Sequence, residues 1–317
     1  MQCARTTSWI SRPASQVGFV GASHADPELA HQLRMAALPT NEGQILVKMA
    51  KRMTGTVAAM FALCACAIAQ PGMAQDMMRH VDLNSPDMTT AEMTRDEVAA
   101  MVKAATPGHP ADFTGKKLSG LDLSGLDLSF AVFRAGRLNK TKLVDTNLDD
   151  AVLDQAWLLE ADLTGASLQR ASIFAAQMRR ARLDGANLSS ARVVADLTGA
   201  SLVGAKLSGA NLAADMKNQS MGLIHMVLNS ARLDNADLRN ADLSRAELQF
   251  ASLKKSDLTG ALLRGVDLSG ADLTEATVSG ADFLGADLAS ARLVAPVGLE
   301  TARNFDKAIN RDRLLQK

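Results

Sequence analysis

Asp112, Asp122, Asp127, Asp162, Asn187, Asn211, Asp237, Asp242, Asp267, Asp272, Asp282 and Asp287 each stand directly before a Leu or Phe. Oxygen donors repeated in this way suggest two chemistries. A carboxylate ladder could hold hard cations, or supply a general acid and a general base. Acid–base work requires two carboxylates in unlike environments within a cleft. The column also differs from the Gly-rich nonapeptide repeats that bind calcium. A water-facing column that keeps a repeat structure soluble accounts for the same residues without chemistry.

The other candidates are sparse. His225 is the only His between residues 111 and 293, with no Cys or second His near it to complete a metal site. It lies in an irregular stretch, 213–227, which is expected to be either a partner-contacting loop or a bulge. There Ala214-Asp215-Met216 reads as a shortened repeat. Met73, Met77, Met78, Met88 and Met93, with His80, could offer thioethers to Cu(I), but their spacing matches no motif. Cys3, Cys64 and Cys66 are the only cysteines, which excludes a disulfide framework or a Cys-based zinc site downstream. No phosphate-binding Gly loop or Ser-His-Asp arrangement is present. The expectation is a protein with no catalytic residues, metal or cofactor.

Composition narrows the class further. The chain has 34 basic and 34 acidic residues, 3% aromatics and no Tyr. Balanced charge gives no basic field for nucleic acid. Without aromatic anchors, Ala, Leu and Gly must build the interior.

The element that positions the Asp column has a period of five, which fits neither helix nor ordinary strand. Apolar centres run from Phe113 to Val193, resume one residue early from Leu197 to Leu212, and continue from Leu223 to Leu293. Leu fills 29 of the 36 centres, and Ala fills 26 of the positions two before them, so both are expected to point inward. The residue between them then points out, as strand alternation requires. Thirteen of the fifteen glycines in 111–293 fall two after a centre, which marks a corner. Proline is absent from Pro110 to Pro296, consistent with backbone ladders that need every N–H. Four five-residue sides would close a coil of about 20 residues, stacked at about 4.8 Å.

"ADLTGASL", "ANLSSARV", "ADLRNADLSRAEL" and "ADLTEA" resemble the pentapeptide-repeat proteins, with their motif A-(D/N)-L-x-x, over residues 111–293. The resemblance implies a right-handed quadrilateral β-helix, an all-β solenoid of about nine coils here. It also makes the Asp/Asn column the family's ordinary outward position. Leu163, Leu238, Leu243, Leu268, Leu273 and Phe283 are expected to form the core. Convex sides offer no cleft for catalysis. Trp157, Leu159, Phe174 and Val152 are expected to point outward and, with His225, to be the places where a protein partner leans.

Open solenoid ends need caps. Residues 76–110 are read as a linker and a capping helix, Arg95–Ala105, opened by the capping box Thr94-x-x-Glu97. In 294–317, Leu299, Ala302, Phe305, Ala308 and Ile309 suggest a second capping helix.

Residues 49–75 have Lys51 and Arg52 before an uncharged apolar run, then small residues at 67–69 and 72–74. This is the layout of a secretory signal peptide, and the expectation is a periplasmic or secreted bacterial protein with no stable membrane span. "LCAC" offers the alternative of a lipid anchor at Cys66. Residues 1–48 read as a wrongly extended reading frame or a disordered leader. The function expected is a non-enzymatic scaffold in the bacterial envelope. Two rivals remain. Some pentapeptide-repeat proteins resemble DNA and act on gyrase, but 22 acidic against 20 basic residues over 111–293 make a poor acidic mimic. A polysaccharide-active β-helix enzyme is the other.

Overall fold

The computed structural model of the chain describes residues 82–106, 108–216 and 224–315. The leader, signal segment, Cys66, Met73–Met78, His80 and Leu223 lie outside the described residues.

Four families of parallel bridges define the repeat unit. Side one links Asp112, Val132, Val152 and Ser172; side two links Lys117, Arg137, Trp157 and Gln177. Side three links Asp122, Lys142, Asp162 and Arg182; side four links Asp127, Asn147, Ser167 and Asn187. Each of these steps advances 20 residues, so these coils have four sides of five. The corner at Leu153 shows the local rule. Ala156 N–H donates to Leu153 O at 3.1 Å, closing the turn, and Gln155 N–H donates to Phe174 O of the next coil at 2.7 Å. Gln155 has φ +59°, the left-handed value that a type II turn requires at its third residue. Glycine fills that place at corners such as Gly185, where the missing Cβ removes the strain.

Corners every five residues leave little continuous strand. Among the described residues, the two stretches that exceed a bridge are β1, Ser172–Gln177, and β2, Arg192–Asp196, paired in parallel. β2 spans the one-residue deletion, and β1 lies opposite it with the register shift between Phe174 and Gln177. Val194 is followed at once by the inward Ala195, so the corner residue is the one lost and the backbone runs on extended.

Leu163, Leu238, Leu243, Leu268, Leu273 and Phe283 are all buried in one continuous apolar core. Inward hydroxyls are satisfied locally: Thr146 Oγ1 donates to Leu143 O at 2.7 Å and Ser256 Oγ to Leu253 O at 2.8 Å. These short side chains fit the Ala position because their polar atom returns to the turn carbonyl.

The N-terminal end is covered by two helices, α1 (Pro86–Thr89) and α2 (Arg95–Ala104). Thr94 and Glu97 form the reciprocal capping box of α2. Val98 is buried in the core, with Met93, Met101, Val102 and Ala105 packed against it. Arg95 donates to Asp122 O at 2.6 Å and Ser124 O at 2.8 Å, which ties the helix to the first coil. Met88, in α1, is also buried.

The C-terminal end corrects the expectation of a second α-helix. Residues 294–315 continue the β-helix, with Val297, Arg303, Ile309 and Leu315 bridging Thr277, Asp282, Asp287 and Arg292. The outward residues now recur every six. The added residue is taken up by single 3₁₀ turns at Leu299–Thr301, Phe305–Lys307 and Arg311–Arg313. The apolar spacing resembles a helical stripe because a six-residue side places Ala302, Ala308 and Leu314 against the core end. Phe305 meets the Phe283 ring edge-on at 5.4 Å.

Met216 also differs from expectation. It is 41% exposed, while Asp215 beside it is buried. The last inward centre before the break is Leu212. The chain leaves the coil there and returns at Val227, which bridges Asp196.

Candidate interaction surface

The Asp/Asn column has a structural task at the corners. Asp112 Oδ1 accepts Thr114 N–H at 2.9 Å, Asp242 accepts Ser244 N–H at 2.9 Å, and Asn187 accepts Ser189 N–H at 3.1 Å. Each side chain caps the amide two residues on, an Asx turn built into the side. The carboxylates of Asp112 and Asp122 are held below their ordinary pKa, chiefly by hydrogen bonding from Thr114 and Ser124. These oxygens are therefore engaged by the protein's own backbone.

Where the column holds another residue, a second arrangement serves the same amide. Asn139 Oδ1, one coil earlier, accepts Leu159 N–H at 3.0 Å. Asp154 accepts Phe174 N–H at 3.1 Å and Ser172 Oγ at 2.6 Å. Asp184 takes Val203 N–H with the Ser201 hydroxyl, and Asp234 takes Lys254 N–H with the Ser252 hydroxyl. Sequence reading missed these residues. For Asp154, Asp184 and Asp234 the signal is an Asp just after a centre with a Ser in the column one coil later.

The outward candidates fall on two adjacent sides. Val152 and Phe174 are on side one, and Trp157 and Leu159 are on side two. All four are half-buried. The Arg192 guanidinium sits 4.3 Å from the Phe174 ring centroid, a cation–π contact, and also reaches Asp215 Oδ2 at 3.4 Å. His225 is half-buried where the chain re-enters the coil, its Nε2 2.8 Å from Glu247 Oε1. Asn229 donates to the other Glu247 oxygen at 3.0 Å. The His225 hydrogen bond is the main reason the Glu247 carboxyl stays below its usual range. The base of the irregular stretch is thus anchored to sides one and two.

The most exposed large apolar residues are others. Phe130 is 59% and Phe250 70% exposed, and both occupy left-handed corner positions. The sequence signal was an aromatic where glycine usually turns the chain. Phe130 also lines a cavity of about 300 Å³ with Val102, Ala105, Pro110 and Asp127. Among the described residues no helix is long and apolar enough to cross a membrane.

The family described as pentapeptide repeats matches in eight copies, over residues 111–150, 146–185, 176–213, 227–260 and 267–294. Among solved structures, the chain is similar to HetL, a pentapeptide repeat protein involved in heterocyst differentiation regulation from Nostoc sp. strain PCC 7120. The two share 30% identity over 71% of this chain and 95% of that one, with a TM-score of 0.39. QnrB1, described as a plasmid-mediated fluoroquinolone resistance protein, aligns at 17% identity over 60% of this chain and 87% of its own, TM-score 0.29. A pentapeptide repeat protein of the Arabidopsis thaliana thylakoid lumen aligns at 25% identity over 39% and 66%, TM-score 0.25. No curated protein matches.

Proposed function

The chain belongs to the pentapeptide-repeat family, right-handed β-helical solenoids, and from that premise we propose that it is a non-enzymatic interaction scaffold of the bacterial envelope. The observation that supports this reading is the commitment of the Asp/Asn column. Asp112, Asp242 and Asn187 bind corner amides, so the repeated oxygens build the coil. The flat sides are left to carry partners. We read the tract as about nine coils, with α2 closing one end.

Export rests on residues 49–75, and the lipid anchor at Cys66 is its minor variant. A reporter fused after Gln75 is expected to be active outside the cytoplasm, and a cytoplasmic reporter would overturn the location. Scaffolding is tested by capture from the periplasmic fraction. Trp157→Ala is expected to lose a protein that the wild type retains, while Lys206→Glu, on side four, keeps it. Identical capture by all three would refute a partner site at Trp157.

A further inference from the structure

The N-terminal cap and the first coil do not meet everywhere. The end of α2 and the turn behind it supply an apolar wall of Val102, Ala105 and Pro110. The facing wall is the last corner of the first coil, with Phe130 and Asp127. Between them lies a cavity of about 300 Å³, the lower end of the range for small-molecule pockets. Its lining thus combines an apolar surface, an aromatic ring and one carboxylate.

That carboxylate is only half engaged. Asp127 Oδ1 accepts Ser129 N–H at 3.2 Å and Asn147 Nδ2 at 2.9 Å. Among the described residues Oδ2 accepts no hydrogen bond, and Asp127 joins no ion pair. The neighbouring column differs: Asp122 lies 3.8 Å from both Lys142 and Arg95, and Asp162 lies 3.3 Å from Arg182. The coil stacked on this corner adds charge of the same sign. Phe130 N–H donates to Asp149 O at 2.9 Å, which places Asp149 and Asp150 directly above it. Arg170 lies 2.7 Å from Asp150 and 3.9 Å from Asp149, one cation against two carboxylates. Of the basic residues on the covering segment, Arg95 is held at Asp122 O, while Lys103 and His109 are exposed and do not line the cavity.

We propose that this cavity binds a small organic cation, an ammonium or guanidinium group on a compact apolar body. The cation meets Asp127 Oδ2 and the Phe130 ring, whose π face attracts positive charge. The apolar body lies on Val102, Ala105 and Pro110 and leaves water. An anion would face the like charges of Asp127 and Asp149. A neutral molecule of the same shape would desolvate the carboxylate without pairing it. The site stands apart from the partner surface on sides one and two and does not depend on it.

Amide NMR of the full chain at neutral pH tests this with benzylamine as the probe. Saturable shifts are expected at Val102, Ala105, Ser129 and Phe130, in the millimolar range and weaker at high salt. Benzyl alcohol, of similar shape without the charge, should bind about fivefold more weakly, the effect of one partly exposed ion pair. Asp127→Asn should lose benzylamine affinity by the same factor. It keeps the coil, because an amide oxygen can cap this corner as Asn187 does at Ser189. Phe130→Gly, which relieves the left-handed backbone at φ +62°, should also weaken benzylamine. Three results would overturn the proposal: no saturable shift at the lining residues, equal affinity for the amine and the alcohol, or benzylamine binding unchanged in Asp127→Asn.

Discussion

Asp149 and Gln169 lie one coil apart, and the Gln169 N–H donates to Asp149 Oδ1 at 2.9 Å. The same oxygen accepts the Ser167 hydroxyl at 2.5 Å, and Gln169 Nε2 reaches Oδ2 at 3.3 Å. One carboxylate thus secures a corner amide and the column residue of the next coil. Asp149→Ala is expected to cost about 1–2 kcal/mol by leaving half-buried donors unmet. Ser167→Asp should recover part of this loss, because an Asp in the column can cap its own corner. Chemical denaturation of both single variants and the double variant measures the coupling. Equal costs with and without Ser167→Asp would show that the two arrangements do not substitute for each other.

The corners predict opposite signs for two glycine exchanges. Gln155 is held at φ +59° with its side chain exposed. Gln155→Gly should raise stability by about 0.5–1 kcal/mol, as relief of left-handed strain exceeds the added freedom of the unfolded chain. Gly185 has φ +68° and open space where a Cβ would stand. Gly185→Ala should therefore lower stability by about 1 kcal/mol through backbone strain alone. Melting of both variants against the wild type decides it.

The coil was readable because its core is periodic. A Leu every fifth residue with Ala two before it leaves one consistent inward set, and Leu163, Leu243 and Phe283 lie there. The four bridge families follow from that count. The Asp column was legible as outward but not as capping, since side-chain direction within a turn is not a property of spacing. The C-terminal turns were misread because a six-residue side and an amphipathic helix place apolar residues at similar intervals. The surface candidates depended on neighbours. Trp157 and Phe174 look exposed in sequence and are half-buried in the stack, while Phe250 is lifted outward by its left-handed backbone.

The inward and capping positions can be separated by substitution. Leu243 is buried, and Leu243→Asp should cost several kcal/mol, combining a lost core side chain with a buried charge. Asp242 accepts Ser244 N–H at 2.9 Å. Asp242→Ser should cost little because a hydroxyl can accept the same bond, whereas Asp242→Ala should cost about 1 kcal/mol. Denaturation midpoints in that order verify the in-and-out assignment, and equal losses at 242 and 243 would refute it.

Asp282 links the last coil to pH. It is 1% exposed and accepts Asn304 Nδ2 at 2.7 Å, Arg264 Nε at 2.8 Å and Leu284 N–H at 3.2 Å. Burial acts to raise its pKa, but the hydrogen bonds from Asn304 and Arg264 outweigh burial and hold it below the ordinary 3.8. A carboxylate depressed in this way stabilises the folded state fully above its unfolded value. That contribution is lost as pH falls from about 4 through the lower folded value. Asp237 shifts in the same direction, led by the hydrogen bond from Arg239. Below about pH 4 the contact of Asp282 with the C-terminal coil should therefore weaken, seen as faster hydrogen exchange at Arg303 and Ile309, whose amides donate to Ala281 O and Ala286 O. Asp282→Asn should lower stability at neutral pH by leaving Arg264 without its anion, and should flatten the acid dependence of that exchange. Acid opening that is unchanged in Asp282→Asn would show that the carboxylate does not govern it.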